Sequence, residues 1–465
     1  MLNRTLLAGL LLAAASAPLA AQPSPCPPDV GCSRGFGLGT SWLRFSGRMQ
    51  NLVLWRNDGD FDRTPPYYEA PGQEIGLLGT FLAPRLELTP VEPLRVVWES
   101  ELGLNLWSLH DPDEYAAGSD RAFRLAMRQL YTEGRFFQGA LGFRAGYEQL
   151  FDPSGLFLGH WLGAATLSTE HRWGRLALTG AQLPDQTFEG VGYDASSFRA
   201  DTFVVGLRGD FPLGRLALTG SAWGLHDRQV VGQPLDLLAA TVTLGGRWSR
   251  LSFAVDLDLQ YGVTRGRAAG RDETTLAWAF QGSLDLKQPV AGPGRLFLLL
   301  GLNAMLLSPD DDHDGNARNG AFYYSGKSRS RTLLLTEDEL RDRGGNLDER
   351  LGERRPGDGG KHTLVRPGLA VTDLSVGLDA LGFLRPLVTL GAAWVLNPDN
   401  ALGASFVGLE TDLHLELYYS QYLSFDLVGT FLQPGRAAAA LVNTTGDREA
   451  TDPVGQIEGV LTVWF

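Results

Sequence analysis

Cysteine is nearly absent from this 465-residue chain, which has only Cys26 and Cys32, both in the stretch CPPDVGC. Neither a dense disulfide scaffold nor a cysteine-ligated zinc module can hold such a fold, and no histidine lies near the pair to complete a metal site. Histidine is scarce too: seven scattered residues, no HExxH pattern, and no Ser, His and Asp spacing that marks a hydrolase. Long apolar runs are missing. The longest, residues 296–307, is interrupted by Gly301 and Asn303 and falls short of the ~18 residues a spanning helix needs. A bundle of membrane helices is thereby excluded, although 44% of the residues are hydrophobic and mean hydropathy is near zero at -0.08. Basic charge is outnumbered, 40 Lys and Arg against 53 Asp and Glu, and the formal charge of -13 argues against a nucleic-acid partner.

What is present is a period of two. Residues 455–465, GQIEGVLTVWF, set Ile457, Gly459, Leu461, Val463 and Phe465 on one face against Gln456, Glu458, Val460, Thr462 and Trp464 on the other. Such alternation makes a strand, and its length suits a tilted crossing of a bilayer. The same pattern recurs over residues 43–55, 75–88, 94–107, 123–135, 139–151, 162–173, 175–183, 202–211, 215–225, 237–248, 251–264, 274–286, 296–307, 369–381, 385–397, 409–422 and 424–432. Links alternate short and long. The short ones carry Gly, Pro or Ser, as tight hairpins require.

About eighteen such segments, an even number, put both termini on one side of a closed sheet. The expected fold class is therefore all-β: a transmembrane antiparallel up-and-down β-barrel of about 18 strands, with the lipid bilayer as partner. Short turns and termini are expected to be periplasmic, and the longest link, 308–367, to lie on the outer side. A barrel of this size leaves a water-filled lumen by default. At the N-terminus Arg4, the apolar residues 6–17 and Leu19-Ala20-Ala21 before Gln22 predict a signal peptide over 1–21. A periplasmic leader, 22–39, follows with a Cys26–Cys32 disulfide expected in an oxidising compartment, and then the barrel, 40–465.

Parity assigns the lumen charges. The early strands turn inward Arg44, Arg48, Arg85, Arg95, Arg124, Arg128, Arg144, Arg172, Arg208 and Arg247, tempered by Glu87, Glu99, Glu101, Glu148 and Glu170. The late strands turn inward Asp256, Asp258, Asp285, Asp373, Asp379, Glu410, Asp412, Glu416, Asp426 and Glu458, with little beyond Lys287 and His414 against them. Because consecutive strands are neighbours, this predicts an Arg-rich wall facing an acidic one, a field that selects by charge. Phe297, Leu299 and Met305 would also face the lumen. Exposed apolar surface costs ~25 cal/mol per Å², so the long loop is expected to fold in over them through Phe322, Tyr323 and Leu333 to Leu335.

Two loop motifs complete the reading. DDDHDG places Asp310, Asp312 and Asp314 at the alternate spacing of oxygen ligands for Ca²⁺, with Ala321 where a calcium loop would carry Glu; a solvated acidic loop is the alternative. Thr336-Glu337-Asp338-Glu339 has a capping-box pattern and predicts a short helix.

Certain segments resemble a known family: Arg128-Gln129-Leu130-Tyr131, Gly146-Tyr147-Glu148-Gln149, Asp152-Pro153-Ser154-Gly155, and the hairpin with Gly408, Glu410, Asp412, Pro434 and Gly435. They look like strand segments of the alginate-export porins, departing from them at Glu148, where a basic lumen residue is expected. The resemblance implies an eighteen-stranded outer-membrane barrel, with an acidic exopolysaccharide exported through a basic lumen and periplasmic export components as partners. The terminal Phe465 resembles those read by the barrel-insertion machinery. The resulting expectation is a porin for passive passage of hydrophilic solutes, an anionic exopolysaccharide among them. It has no catalytic residue and no cofactor beyond the candidate calcium. The competing readings are an outer-membrane enzyme of the lipase or protease kind and a structural or adhesive barrel with a closed pore.

Overall fold

The computed structural model describes residues 38–40, 43–57, 61, 75–91, 93–109, 123–183, 202–228, 233–268, 271–291, 296–311, 317–336, 353–354, 362–442 and 447–465. Eighteen long strands dominate them. In chain order they are β1 (Leu43–Arg56), β2 (Ile75–Val91), β3 (Leu94–Leu109), β4 (Phe123–Phe136), β5 (Leu141–Phe151) and β6 (Gly159–His171). Next come β7 (Gly174–Gln182), β8 (Thr202–Leu213), β9 (Leu216–Asp227), β10 (Leu235–Arg247), β11 (Leu251–Ala268) and β12 (Arg271–Ala291). The last six are β13 (Leu296–Leu307), β14 (Leu369–Ala380), β15 (Leu384–Trp394), β16 (Phe406–Ser420), β17 (Leu423–Pro434) and β18 (Val454–Trp464).

Each strand pairs antiparallel with the next, and β18 pairs with β1 from Arg48↔Trp464 to Arg56↔Gln456, closing the sheet. Closure satisfies the whole backbone ladder, which is what a lipid environment demands. At the seam Phe465 and Gly47 exchange both backbone hydrogen bonds, at 2.9 and 3.0 Å. Both described ends of the chain lie with the short turns, as an even strand number requires.

The strand alternation sorts the two faces. On β11 Val255, Leu257, Leu259 and Tyr261 are exposed, whereas Asp256, Asp258 and Gln260 between them are buried. A face of bare aliphatics beside buried acids is an outer surface made for hydrocarbon, and the acids face inward. No helix among the described residues is long and apolar enough to cross a membrane.

Two details depart from the sequence reading. The link between β11 and β12 is only residues 269–270, because both strands run past the expected boundaries and Thr264 still pairs with Glu273. After β17 the chain forms a helix that strand periodicity does not announce, α1 (Arg436–Val442). Its run of alanines is the best of helix formers, and Ala437 to Ala440 are all buried.

The long loop folds inward as expected, although of the three apolar residues it is expected to cover only Met305 is buried, while Phe297 and Leu299 stay half-buried. Phe322, Tyr323, Leu333, Leu334 and Leu335 are buried, and Phe322, Leu334 and Leu335 belong to one apolar cluster with Met305, Ala277 and Ala279 of the wall. Full burial of one such side chain stabilises by ~1.5–3 kcal/mol, so the lumen contains its own core. A second inward loop, residues 152–158 between β5 and β6, adds Leu156, Phe157 and Leu158, each with no exposure.

Candidate functional site

The early wall is an interleaved ladder of arginines and glutamates. Arg85 bonds Glu87 (2.8 Å) and Glu99 (3.0 Å), Arg95 bonds Glu133 (2.6 Å), and Arg144 bonds Glu133 (2.7 Å) and Glu148 (3.0 Å). Arg128 clasps Glu101 with two nitrogens, at 3.2 and 3.0 Å. A register shift between β3 and β4 pairs Glu99 with Gln129 but Ser100 with Met127, leaving Arg128 as the extra residue. A bulge of this kind re-aims a side chain, and here both Arg128 and Gln129 reach inward acceptors or donors. Arg144 also stacks over Tyr131, 4.7 Å from the ring centroid. Arg44 and Arg48 sit half-buried on β1, Arg44 opposite Glu87. Arg124 lies on β4, its side chain outside the described residues.

The two partners of these pairs are not equally wet. Side-chain exposure is 21% for Arg128 against 3% for Glu101, and 42% for Arg144 against 5% for Glu148. On the late side Lys287 is 45% exposed against 4% for Asp379, and Arg329 30% against none for Asp256. The Arg331–Asp285 and Arg385–Glu416 pairs are evenly exposed. In most pairs, then, the cation faces the water and the carboxylate lies behind it. In these pairs water meets more of the cation than of the carboxylate.

The acidic wall exists in the strand order but is withheld from water. Asp256, Asp258, Asp373, Asp379, Glu410, Asp412 and Glu458 are buried. The two inward loops do much of the covering. In the first, Asp152 accepts from the backbone of Leu158 (2.7 Å), Phe157 (3.2 Å) and Ser154 (3.2 Å) and from the Ser154 hydroxyl (2.6 Å). Ser154 Oγ also lies 2.9 Å from Asp258, whose other close partner is Thr241 (2.5 Å). Burial pushes the Asp152 carboxyl above the usual aspartate range, against the pull of those hydrogen bonds.

The long loop brings the residues that parity could not find. Arg329 forks onto Asp256 (2.8 and 3.1 Å), and its backbone N–H donates to Gln281 (2.7 Å). Arg331 bonds Asp285 on β12 (2.5 Å), and its N–H donates to Asp373 on β14 (3.1 Å). Leu334 and Leu335 donate their N–H groups to the two oxygens of Glu410 on β16, both at 2.8 Å. Ser328-Arg329-Ser330-Arg331 next to an apolar run is the only sequence signal for this, and strand periodicity is blind to it because the segment is not a strand. Glu133 and Asp152 escape the parity list as well.

Below residues 328–333 of this loop, at the short-turn end, lies a cavity of about 630 Å³. Arg247, Arg250, Lys287, Arg329, Arg331 and Arg385 line it against Asp285, Asp412 and Glu416, so its charge is cationic in excess. Glu416 also accepts from the Tyr418 hydroxyl (3.0 Å). Leu299, expected to need a cover, is among its lining residues.

Of the candidate calcium ligands, Asp310 is fully engaged. It accepts from Gly320 N–H (3.0 Å) and Asp311 N–H (3.1 Å) and pairs with Arg366 (2.9 Å). Asp312, Asp314, Cys26, Cys32, the signal segment and the helix expected from Thr336 onward lie outside the described residues, save Thr336 itself. Its hydroxyl pairs with that of Thr332 (2.9 Å). Among the described residues no cluster of three or more His, Cys, Asp or Glu is placed to hold a metal ion.

No family model and no curated protein matches the sequence. The fold, in contrast, has solved counterparts among outer-membrane porins. Pseudomonas aeruginosa OccK9 (OpdG) superposes with TM-score 0.55 at 13% identity, over 91% of this chain and 98% of that one. Acinetobacter baumannii OccAB2 gives 0.57 at 10% identity over the same shares. Pseudomonas aeruginosa OpdK, solved with vanillate, gives 0.52 at 12% identity, again over 91% and 98%. These structures, rather than alginate-export porins, are what the fold is similar to. The chain thus has the architecture of a multi-pass outer-membrane β-barrel: all-β, antiparallel, closed and eighteen-stranded.

Proposed function

We propose that this protein is a passive outer-membrane porin for small hydrophilic solutes, with a preference for anions. The observation that carries the reading is the unequal exposure within the lumen ion pairs: water meets Arg128, Arg144, Lys287 and Arg329, while Glu101, Glu148, Asp379 and Asp256 lie behind them. Guanidinium forks bind carboxylates with two parallel hydrogen bonds, so such a surface favours anionic solutes along its length. Short turns and termini are placed in the periplasm on this reading. The passage involves no catalytic step.

Reconstitution in planar bilayers tests it. A salt gradient should give a reversal potential of the anion-selective sign, and vanillate, present in the OpdK structure, should enter proteoliposomes faster than a cation of equal size. Cation selectivity would overturn the proposal, and turnover of phospholipid or peptide by the purified barrel would redirect it to an outer-membrane enzyme. A finer reading, export of an anionic polysaccharide with periplasmic components, draws on the Gly408, Glu410 and Asp412 motif and on Arg128 and Arg144. Uronate oligomers of increasing length serve as its test. A transport rate that persists as the oligomer lengthens supports export, and a cut-off at the monomer or dimer opposes it.

A further inference from the structure

Residues 329–335 of the long loop lie along the barrel wall as a strap, with contacts on six successive strands. Arg329 pairs with Asp256 on β11 and Arg331 with Asp285 on β12. On β13 the side chain at position 301 is absent, and a Cβ on Gly301 would collide with the Arg331 guanidinium. The Arg331 N–H then reaches Asp373 on β14. On β15 a second glycine, Gly391, leaves room for the Thr332 methyl, which a Cβ would strike. Glu410 on β16 takes the N–H groups of Leu334 and Leu335. Across six neighbouring strands the loop therefore meets four carboxylates and two glycines, the carboxylates as anchors and the glycines, on β13 and β15, as seats between them.

This seat has an electrostatic consequence. With the strap docked, Asp256, Asp373 and Glu410 are buried and two arginines stand over that part of the wall. Without it, the same surface would expose Asp256, Asp285, Asp373 and Glu410 to the lumen and lose both cations. Charges in a channel bounded by low dielectric act strongly on passing ions.

We infer that Arg329 and Arg331, carried by the docked strap, determine the charge selectivity of the channel, and that undocking the strap reverses it from anions to cations. The inference rests on the proposed porin function and adds to it a selectivity element supplied by a loop rather than by the strands. It also assigns a purpose to two inward glycines that strand propensity disfavours.

The test uses the full chain in planar bilayers, with reversal potential and single-channel conductance as readouts. Arg329→Gln with Arg331→Gln removes the cations, and Gly391→Leu fills the seat. Each should move the reversal potential through zero to the cation-selective sign, and Gly391→Leu should also raise conductance. Heat-modifiable migration on gels establishes that each variant is a folded barrel. If wild type is not anion-selective, the porin reading itself fails. If wild type is anion-selective and the folded double variant keeps the wild-type sign, the strap does not determine selectivity and this inference is overturned. Should Gly391→Leu fail to fold, Gly391→Ala with the double arginine variant decides alone.

Discussion

Arg329 on the long loop forks onto Asp256 of β11, Nε at 2.8 Å and Nη2 at 3.1 Å, across 73 residues of sequence. The carboxylate is wholly buried while the guanidinium keeps contact with water. Removing one partner of a buried pair strands the other, at a cost of ~3–5 kcal/mol. Arg329→Ala, which strands the buried carboxylate, should therefore lower the unfolding free energy of the refolded barrel by about that amount, and Arg329→Lys by less, since an ammonium can still pair with it. Equal, negligible losses in urea titrations would show that the pair does not hold the loop.

Selectivity should respond unequally to the two walls. Arg95, Arg128 and Arg144 replaced together by Gln uncover Glu101, Glu133 and Glu148, and the reversal potential should shift toward cations. Two facing walls, as read from the sequence alone, predict an opposite shift when Asp256, Asp258 and Asp412 become Asn. Their burial changes that expectation: with Asp285, Asp373 and Glu410 still holding the strap, the acidic triple should alter stability far more than selectivity, which unfolding and reversal-potential data on the same sample will separate.

Asp152 organises the shorter inward loop, and its pH behaviour has a definite sign. Burial raises its folded-state pKa above the ordinary aspartate value. The native state then holds more protons than the unfolded state in the window that opens at that ordinary value and extends upward. Stability contributed by this group is thus greatest at acid pH and declines as pH rises through the window. Asp152→Asn should flatten that part of the stability profile; an unchanged slope would place the titration elsewhere.

Deleting residues 319–360 removes the strap with the apolar residues that cover Met305. Single-channel conductance should rise, because Phe322, Tyr323 and Leu333 to Leu335 leave the lumen. An unaltered conductance would mean that these residues do not narrow the path.

The seam offers a separate test. A Cβ on Gly47 would intrude on the Phe465 ring, which lies 6.0 Å from that of Phe45. Gly47→Val should displace the ring, weaken pairing of β1 with β18 and lower the melting temperature of the refolded barrel. The lumen charges are untouched, so its reversal potential should stay at the wild-type value.

The sequence by itself determined the barrel. A side-chain period of two is local, and each strand, such as β11 with Val255, Leu257 and Leu259 against Asp256 and Asp258, carries its own record of which face meets lipid. The inward reach of the long loop was also legible, because Leu299 and Met305 left apolar surface in the lumen that something had to cover. The charge of the water-facing surface was not. Parity places Glu101 and Arg128 on the same face without saying which one lies in front, and that order is set by side-chain length and by the bulge at Arg128. Nor does parity reach Arg329, Arg331 and the N–H groups of Leu334 and Leu335, whose partners Asp256, Asp285 and Glu410 lie on strands far away in sequence. Those pairings arise only when the closed barrel brings β11, β12 and β16 around the loop. For that reason the acidic wall written in the sequence is, in the folded protein, the seat of a basic strap.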